Sequence, residues 1–387
     1  MAAASYPEFT AGPTWIRKMR TLFRRLDSSG HGYLMVDDLL EVGTSIFNVY
    51  PKMAAYKYDE LVKMLVYMWY QVICTHVPRQ SATTMNLNES IFVDNMTKAM
   101  KGKFREQFDE HFITPMFCAM DQDDDGKITG PEFQTLMVAW KSVPKDCELI
   151  FKMHADAGRM NKENFLKIFV DFFMSDDGKS KAVRLWGPLL NYKRAEDYGT
   201  LDCGPVWEGK MRTMYRRLDV NETMKLRCHD LLQIGQFLVQ RAHLDRRRSD
   251  AVMRAMLHIW VKFLAVDKAG EHLDEIREIE FVHNMREMIN GEFRHEIDQF
   301  GWTFFKAIEV DNSGFISQAS YRTLQEAWHV GREEAEGMFK MIDNDKDGKI
   351  SSDEFLTAWN EYFLSEDPQS PYRMFFGPVI SRPTEAR

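Results

Sequence analysis

The chain contains no run of about 18 apolar residues, the length a membrane-spanning helix needs, so no such span is expected. Cysteine is scarce: Cys74, Cys118, Cys147, Cys203 and Cys228 are five in 387 residues, odd in number and without metal-type spacing. Free thiols in a reducing compartment fit that usage better than a disulfide scaffold. The signatures of several enzyme classes are missing too, with no G-x-S-x-G, no H-E-x-x-H and no paired C-x-x-C. Asp177-Gly178-Lys179-Ser180 imitates the end of a phosphate loop, but Phe173 stands where the earlier glycine is required. The histidines show no ligand spacing, and a lone His in a helical chain is more often packed or solvated than catalytic. A non-enzymatic protein is therefore expected. The opening MAAASYPEFT has no charged start, no apolar core and no glycine at position 2, so neither a secretory signal nor N-myristoylation is expected. A basic excess is also lacking. The net charge of −8 argues against nucleic acid as a partner and, with the thiols, for a cytoplasmic protein. Arg246-Arg247-Arg248 is followed by Asp250 and reads as a solvated helix face.

What the chain does have is two twelve-residue stretches, Asp121 to Glu132 (DQDDDGKITGPE) and Asp343 to Glu354 (DNDKDGKISSDE). Both follow the spacing of an EF-hand calcium loop. Ca²⁺ is a hard ion that takes 6–8 oxygens at about 2.3–2.6 Å, so a short loop must wrap around it. Positions 1, 3 and 5 supply the aspartates Asp121, Asp123 and Asp125 in one loop, and Asp343, Asp345 and Asp347 in the other. Position 6 must bend sharply and is glycine in both, Gly126 and Gly348. Lys127 and Lys349 would offer backbone carbonyls, Thr129 and Ser351 would act through a water, and Glu132 and Glu354 would close the site with both oxygens. The bland alternative is an acidic surface turn. Flanking apolar stripes argue against it: Ala335, Met338, Phe339 and Ile342 before the second loop, Phe355, Trp359, Tyr362 and Phe363 after it. Phe108, Phe112, Met116, Phe117 and Met120 form the corresponding stripe before the first.

The chain is a duplication. Residues 15–27 (WIRKMRTLFRRLD) recur as 207–219 (WEGKMRTMYRRLD), with nine of thirteen positions identical at an offset of 192. Trp69 recurs as Trp260, Phe92-Val93 as Phe281-Val282, Trp140 as Trp328, and Trp186-Gly187-Pro188 as Phe376-Gly377-Pro378. Self-similarity on this scale predicts two whole domains, residues 10–190 and 204–387, rather than a short solenoid repeat. The polar stretch from Asn191 to Cys203 reads as the linker.

Each half has room for four helix–loop–helix units, and most of the other loops look damaged. Asp27 to Asp38 keeps Asp27, Ser29 and Gly32 but has His31 at position 5 and only Asp38 at position 12, a geometry better suited to Mg²⁺. Its copy, Asp219 to Asp230, has Met224 in place of glycine and Arg227 at position 9. The segments His76 to Glu89 and Val266 to Glu280 carry no aligned Asp triplet, and Met153 to Asn164 has alanines at positions 3 and 5. Glu309 to Ser320 keeps Asp311, Ser313 and Gly314 but ends in Ser320, which cannot grip an ion with two oxygens. Such loops are expected to persist because their eighth residues pair with those of the live loops in short β ribbons.

On these residues the whole chain resembles two fused copies of an invertebrate sarcoplasmic calcium-binding protein. The first loop ending in Asp38 and the aromatic-Gly-Pro segments Trp186-Gly187-Pro188 and Phe376-Gly377-Pro378 carry the likeness. The resemblance implies an all-α fold, two tandem four-EF-hand domains with loops paired one-two and three-four, and a calcium buffer or slow sensor. Ca²⁺ is the implied ion, with Mg²⁺ as competitor. Two alternatives stay open. Twenty-five methionines would suit a sensor that grips a target helix, although stripes such as Met64, Met68 and Met253, Met256 read equally as core. Nine tryptophans would suit a calcium-linked carrier of a small apolar ligand, as in the photoproteins and luciferin-binding proteins that look like relatives, although repeated Trp is explained as well by packing. The oligomeric state is left open.

Overall fold

In a helix–loop–helix unit the extended residues at the middle of the loop leave backbone N–H and C=O groups that the helices cannot satisfy. A second loop laid antiparallel beside the first supplies their partners. A computed structural model, which describes residues 6, 8–75, 79–82, 85–265, 272–309, 311 and 313–379, shows this pairing four times. Leu34 faces Leu87, Ile128 faces Met160, Leu226 faces Ile276, and Ile316 faces Ile350, each pair in a two-stranded antiparallel ribbon. All eight of these side chains are fully buried in the core. The fold is all-α apart from these ribbons, with loops paired one-two and three-four in each half.

The chain divides into two compact units, Met1–Ser28 with Gly32–Leu190, and Ser29–His31 with Asn191–Arg387. In the first, helices Pro13–Leu26 and Val36–Val49 form the first helix–loop–helix unit, and Ala55–Tyr67 and Glu89–Lys101 flank the second. Thr114–Met120 and Gly130–Ala139 flank the loop at 121–132, and Pro144–His154 and Lys162–Met174 complete the set. The second unit repeats the series, from Pro205–Leu218 to Arg332–Ile342 and Ser352–Leu364. The stripe at residues 108–120 is buried as expected but is not one regular helix. A π turn at Asp109–Ile113 interrupts it just before Pro115, whose missing N–H and bulky ring cannot continue the regular ladder. π turns also follow the third long helix of each half, at Met68–Ile73 and Ile259–Leu264.

The duplication extends to individual hydrogen bonds. Trp15 Nε1 donates to the Phe173 carbonyl at 2.6 Å, and Trp207 Nε1 to the Phe363 carbonyl at 2.9 Å. Asn95 Nδ2 reaches the Ile73 carbonyl at 2.7 Å, and Asn284 Nδ2 the Leu264 carbonyl at 2.9 Å. Arg20 and Arg24 grip the two oxygens of Glu89, as Arg212 and Arg216 grip those of Glu278. The aromatic-Gly-Pro segments plug the cores. Trp186 packs on Phe172 at 4.7 Å between centroids and donates to the Trp140 carbonyl at 3.1 Å; Phe376 packs on Trp328 at 4.4 Å. Gly187 and Gly377 follow with φ of +100° and +88°, and a Cβ on either would lie within 3 Å of an arginine nitrogen, Arg25 or Arg217.

The stretch expected to be a linker is not free. Asn191 to Cys203 lies on the second unit, where the Asn191 and Tyr192 amides donate to Asp353, the Leu201 amide to Asn290 at 2.9 Å, and Arg294 to the Tyr198 and Gly199 carbonyls. Its buried Tyr192, Ala195, Leu201 and Cys203 are spaced without helical or strand period, which is why the pattern reads as polar coil. Replacing Trp186 by alanine removes a fully buried indole and its hydrogen bond, so the first unit should lose about 3–5 kcal/mol; the denaturant midpoint of that unit, compared with Trp186→Phe, measures the loss.

Candidate metal centres

Each acidic loop is shaped by the hydrogen bonds its own carboxylates accept. Asp121 takes the Asp125 amide on Oδ1 at 3.1 Å and the Gly126 amide on Oδ2 at 2.9 Å. Asp343 does the same with Asp347 at 3.1 Å and Gly348 at 3.0 Å. Oδ1 of Asp123 and Oδ1 of Asp345 also accept from the fifth-position amides. Asp125 and Asp347 each hold the amide of the following lysine, Lys127 at 2.9 Å and Lys349 at 2.8 Å. These turns need left-handed backbone at two places. Gly126 and Gly348 have φ of +79° and +81°, as the glycine signal indicates. Asp124 and Lys346 at position 4 have φ of +58°, a conformation that Asp tolerates better than most side chains and that Lys gives no hint of.

At the far end, Thr129 and Ser351 start the second helix of each unit. Glu132 Oε2 accepts from the Thr129 amide at 2.8 Å and its hydroxyl at 2.7 Å, while Oε1 takes the Gln122 amide at 3.1 Å. Glu354 has the matching set from Ser351, at 2.8 and 2.7 Å, and from Asn344 at 2.8 Å. The twelfth residue is thus folded back over the loop by a capping box. Lys127 and Lys349 open the short strands Lys127–Thr129 and Lys349–Ser351. Oxygens of Asp121, Asp123 and Asp125 lie within 4.8 Å of one another, as do those of Asp343, Asp345 and Glu354. Glu132 and Asp347 stand outside these trios.

The two loops differ in their neighbours. In the first, the buried Lys57 donates to the Asp121 carbonyl and pairs with Asp124 at 2.8 Å, and Tyr56 donates to the same Asp124 oxygen at 2.9 Å. These bonds from Lys57 and Tyr56 hold the Asp124 carboxyl below its usual range. Burial works to lower the Lys57 pKa, but the Asp124 bond and charge outweigh it and raise it. Burial pushes the Asp121 carboxyl up, against the pull of the Gly126 amide and Lys57. Lys57 was not among the residues the loop pattern identifies, since it lies 64 residues before the carbonyl it caps.

The other loops spend their polar groups internally. Asp27 still accepts from Gly32 at 2.8 Å, and Asp38 from the Met35 amide at 2.8 Å. In the loop 219–230, Met224 occupies the glycine position with φ of +59°, and the Asn221 amide donates to Asp230 across the space an ion would need. Asn164 turns back to His154 and Asp156. Glu309, fully buried, is paired with Lys306, although Val310 and Asn312 of that loop lie outside the described residues. So do residues 76–78, 83–84 and 266–271 of the second loops.

An EF hand domain model matches residues 334–362, and a second EF hand model matches residues 113–137. Each match brackets one of the two acidic loops.

The chain carries two EF hands.

Its calcium-binding character follows from those matches and from a curated relative, the sarcoplasmic calcium-binding protein of Perinereis vancaurica tetradentata. This EF-hand chain is 24% identical to that relative over 176 residues, which cover 45% of this chain and 99% of the relative. The alignment thus spans a little under half of this chain, a length compatible with two fused copies. Among solved structures, okadaic acid binding protein 2.1 aligns with a TM-score of 0.39 at 18% identity, over 46% of this chain and 98% of that one. The calcium-loaded apo form of the coelenterazine-binding protein from Renilla muelleri aligns at 0.36 and 19%, over 46% and 99%. Calcium-loaded apo-aequorin from Aequorea victoria aligns at 0.34 and 18%, over 46% and 100%.

Loss of a group that only orients a ligand typically weakens a metal site by about 10–100-fold, and loss of a charged ligand by more. Glu132→Gln and Glu354→Gln should each weaken calcium binding at one loop by at least about 100-fold while leaving the other loop unchanged, as a calorimetric titration of each variant would show.

Proposed function

We propose that this EF-hand protein is a cytoplasmic calcium buffer or slow sensor that binds one ion in each half. The ligands are Asp121, Asp123, Asp125, the Lys127 carbonyl, Thr129 through a water, and Glu132 in the first site. In the second they are Asp343, Asp345, Asp347, the Lys349 carbonyl, Ser351 through a water, and Glu354. The observation that carries this reading is the matched hydrogen-bond set of the two loops, which aims three acidic side chains of each into one small volume. Mg²⁺, which demands six oxygens at about 2.0–2.1 Å, would compete most where the twelfth carboxylate can be engaged by one oxygen instead of two.

Two features favour a buffer over the other readings. The methionines proposed for target binding are largely core: Met64, Met68 and Met256 are buried, and so are Met19, Met96 and Met211. A groove built from them would first have to open. The carrier reading would need more room than two apolar voids among the described residues provide. The first unit encloses an apolar void of about 20 Å³ walled by Leu22, Phe92, Phe112 and Trp140. The second encloses about 30 Å³ beside Met256, Trp328 and Trp359. Ligand pockets span about 300–1,000 Å³, and a space of this size holds about one water.

Calorimetric titration should give two calcium ions per chain, and fewer would contradict the proposal. An apolar fluorescent dye should stay unbound with and without calcium. A calcium-dependent rise would instead support a target-binding sensor, and binding in both states would support a carrier.

A further inference from the structure

The two acidic loops are nearly identical inside and differ in what the partner loop places against them. In the first unit the ribbon register sets Thr129, position 9 of the acidic loop, opposite Arg159, position 7 of the loop 153–164. In the second unit Ser351, also position 9, faces Phe315, again position 7 of its partner loop. The register is the same and the residue is different. Arg159 reaches four residues back along the facing loop, and its guanidinium pairs with Oδ2 of Asp125. Oδ1 of Asp125 is already committed to the Lys127 amide. The guanidinium therefore sits on the one oxygen of Asp125 left to face an ion. At the matching Asp347, Oδ1 holds the Lys349 amide, and among the described residues no lysine or arginine pairs with Oδ2. There Lys349 lies over the ring of Phe315 at 5.7 Å instead.

Resting on the calcium-binding reading above, we propose that Arg159 is a resident counter-cation of the 121–132 site, so that calcium enters there by displacing a guanidinium, and the 343–354 site fills first. Three carboxylates within 4.8 Å repel one another when no ion is present. Arg159 relieves that repulsion in the ion-free loop and so removes part of what calcium would gain. Being 47% exposed, its side chain is free to swing into solvent once displaced. Lys57, held on Asp124 at 2.8 Å, adds a second positive charge to the same loop. Its counterpart in the other half, Arg248, donates to the Glu309 carbonyl at 2.9 Å, in a loop other than the acidic one. The trio at 343–354, which carries no lysine or arginine among the described residues, keeps its full attraction for a divalent ion.

The test isolates each loop in the full-length chain, Glu354→Gln leaving only the first and Glu132→Gln only the second, with calcium alone as titrant. The first should bind more weakly than the second. Adding Arg159→Gln to the Glu354→Gln chain should tighten binding by about fivefold, the factor an exposed ion pair can supply, and Arg159→Lys should recover most of the original weakness. Phe315→Arg in the Glu132→Gln chain should weaken the second loop by a similar factor, independently of how Arg159 variants fold. A purely structural role for Arg159 would shift the melting temperature of the calcium-free protein and leave the dissociation constant where it was, and that result overturns the proposal. If neither single-loop chain takes up calcium, the calcium-binding reading itself fails.

Discussion

The antiparallel pairing of loops is the constraint on which the rest of this molecule depends. An isolated helix–loop–helix unit buries one face of each helix and leaves the middle of its loop with unpaired backbone groups. Another loop of similar shape can satisfy them while keeping water out of the core. This explains why loops that have lost their carboxylates survive. The loop 153–164 has alanines where two ligands would stand, yet its Met160 is as deeply buried as Ile128 opposite. Deleting it would expose the ribbon and the floor of the core together. A dead loop is then a structural partner whose exposed residues are released from metal chemistry. They can change to arginine in one half and phenylalanine in the other while the ribbon stays intact.

The other loops also show how such a turn holds its shape through its own side chains. Three of them keep a carboxylate at position 1 hydrogen-bonded to the amide five residues on, from Asp27 to Gly32, Asp219 to Met224 and Glu309 to Gly314. That bond is a feature of the turn itself. What varies is the fate of the remaining oxygens. Lys306 neutralises Glu309, and Asn221 bridges to Asp230. In both loops a side chain of the same molecule, one charged and one neutral, satisfies a carboxylate oxygen.

Much of this was legible in the chain. The carboxylate spacing, the glycine at position 6 and the apolar eighth residue are local requirements, so each leaves a local mark, and the ribbons follow from them. The repeated WxxKMRT segment and the aromatic-Gly-Pro segments marked the two units because both copies kept the residues that plug the core. Three things left no such mark. The left-handed conformation at position 4 is adopted even by Lys346, a residue with no special liking for it, because the surrounding hydrogen bonds over-determine it. The contacts of Lys57 and Arg159 depend on helix placement and strand register, and so on partners far away in sequence. The docking of Asn191 to Cys203 is made largely of backbone hydrogen bonds to single side chains, which impose no periodicity.

That docked segment bears on how the chain divides into pieces. Asn290 and Arg294 hold its carbonyls and amides, and Asn360 donates to the Lys193 carbonyl at 2.9 Å. A fragment cut at the start of helix Pro205–Leu218 would leave these groups facing nothing and would uncover the surface beneath Tyr192 and Leu201. The strap belongs to the second module, and an excision that respects its chemistry begins at Asn191.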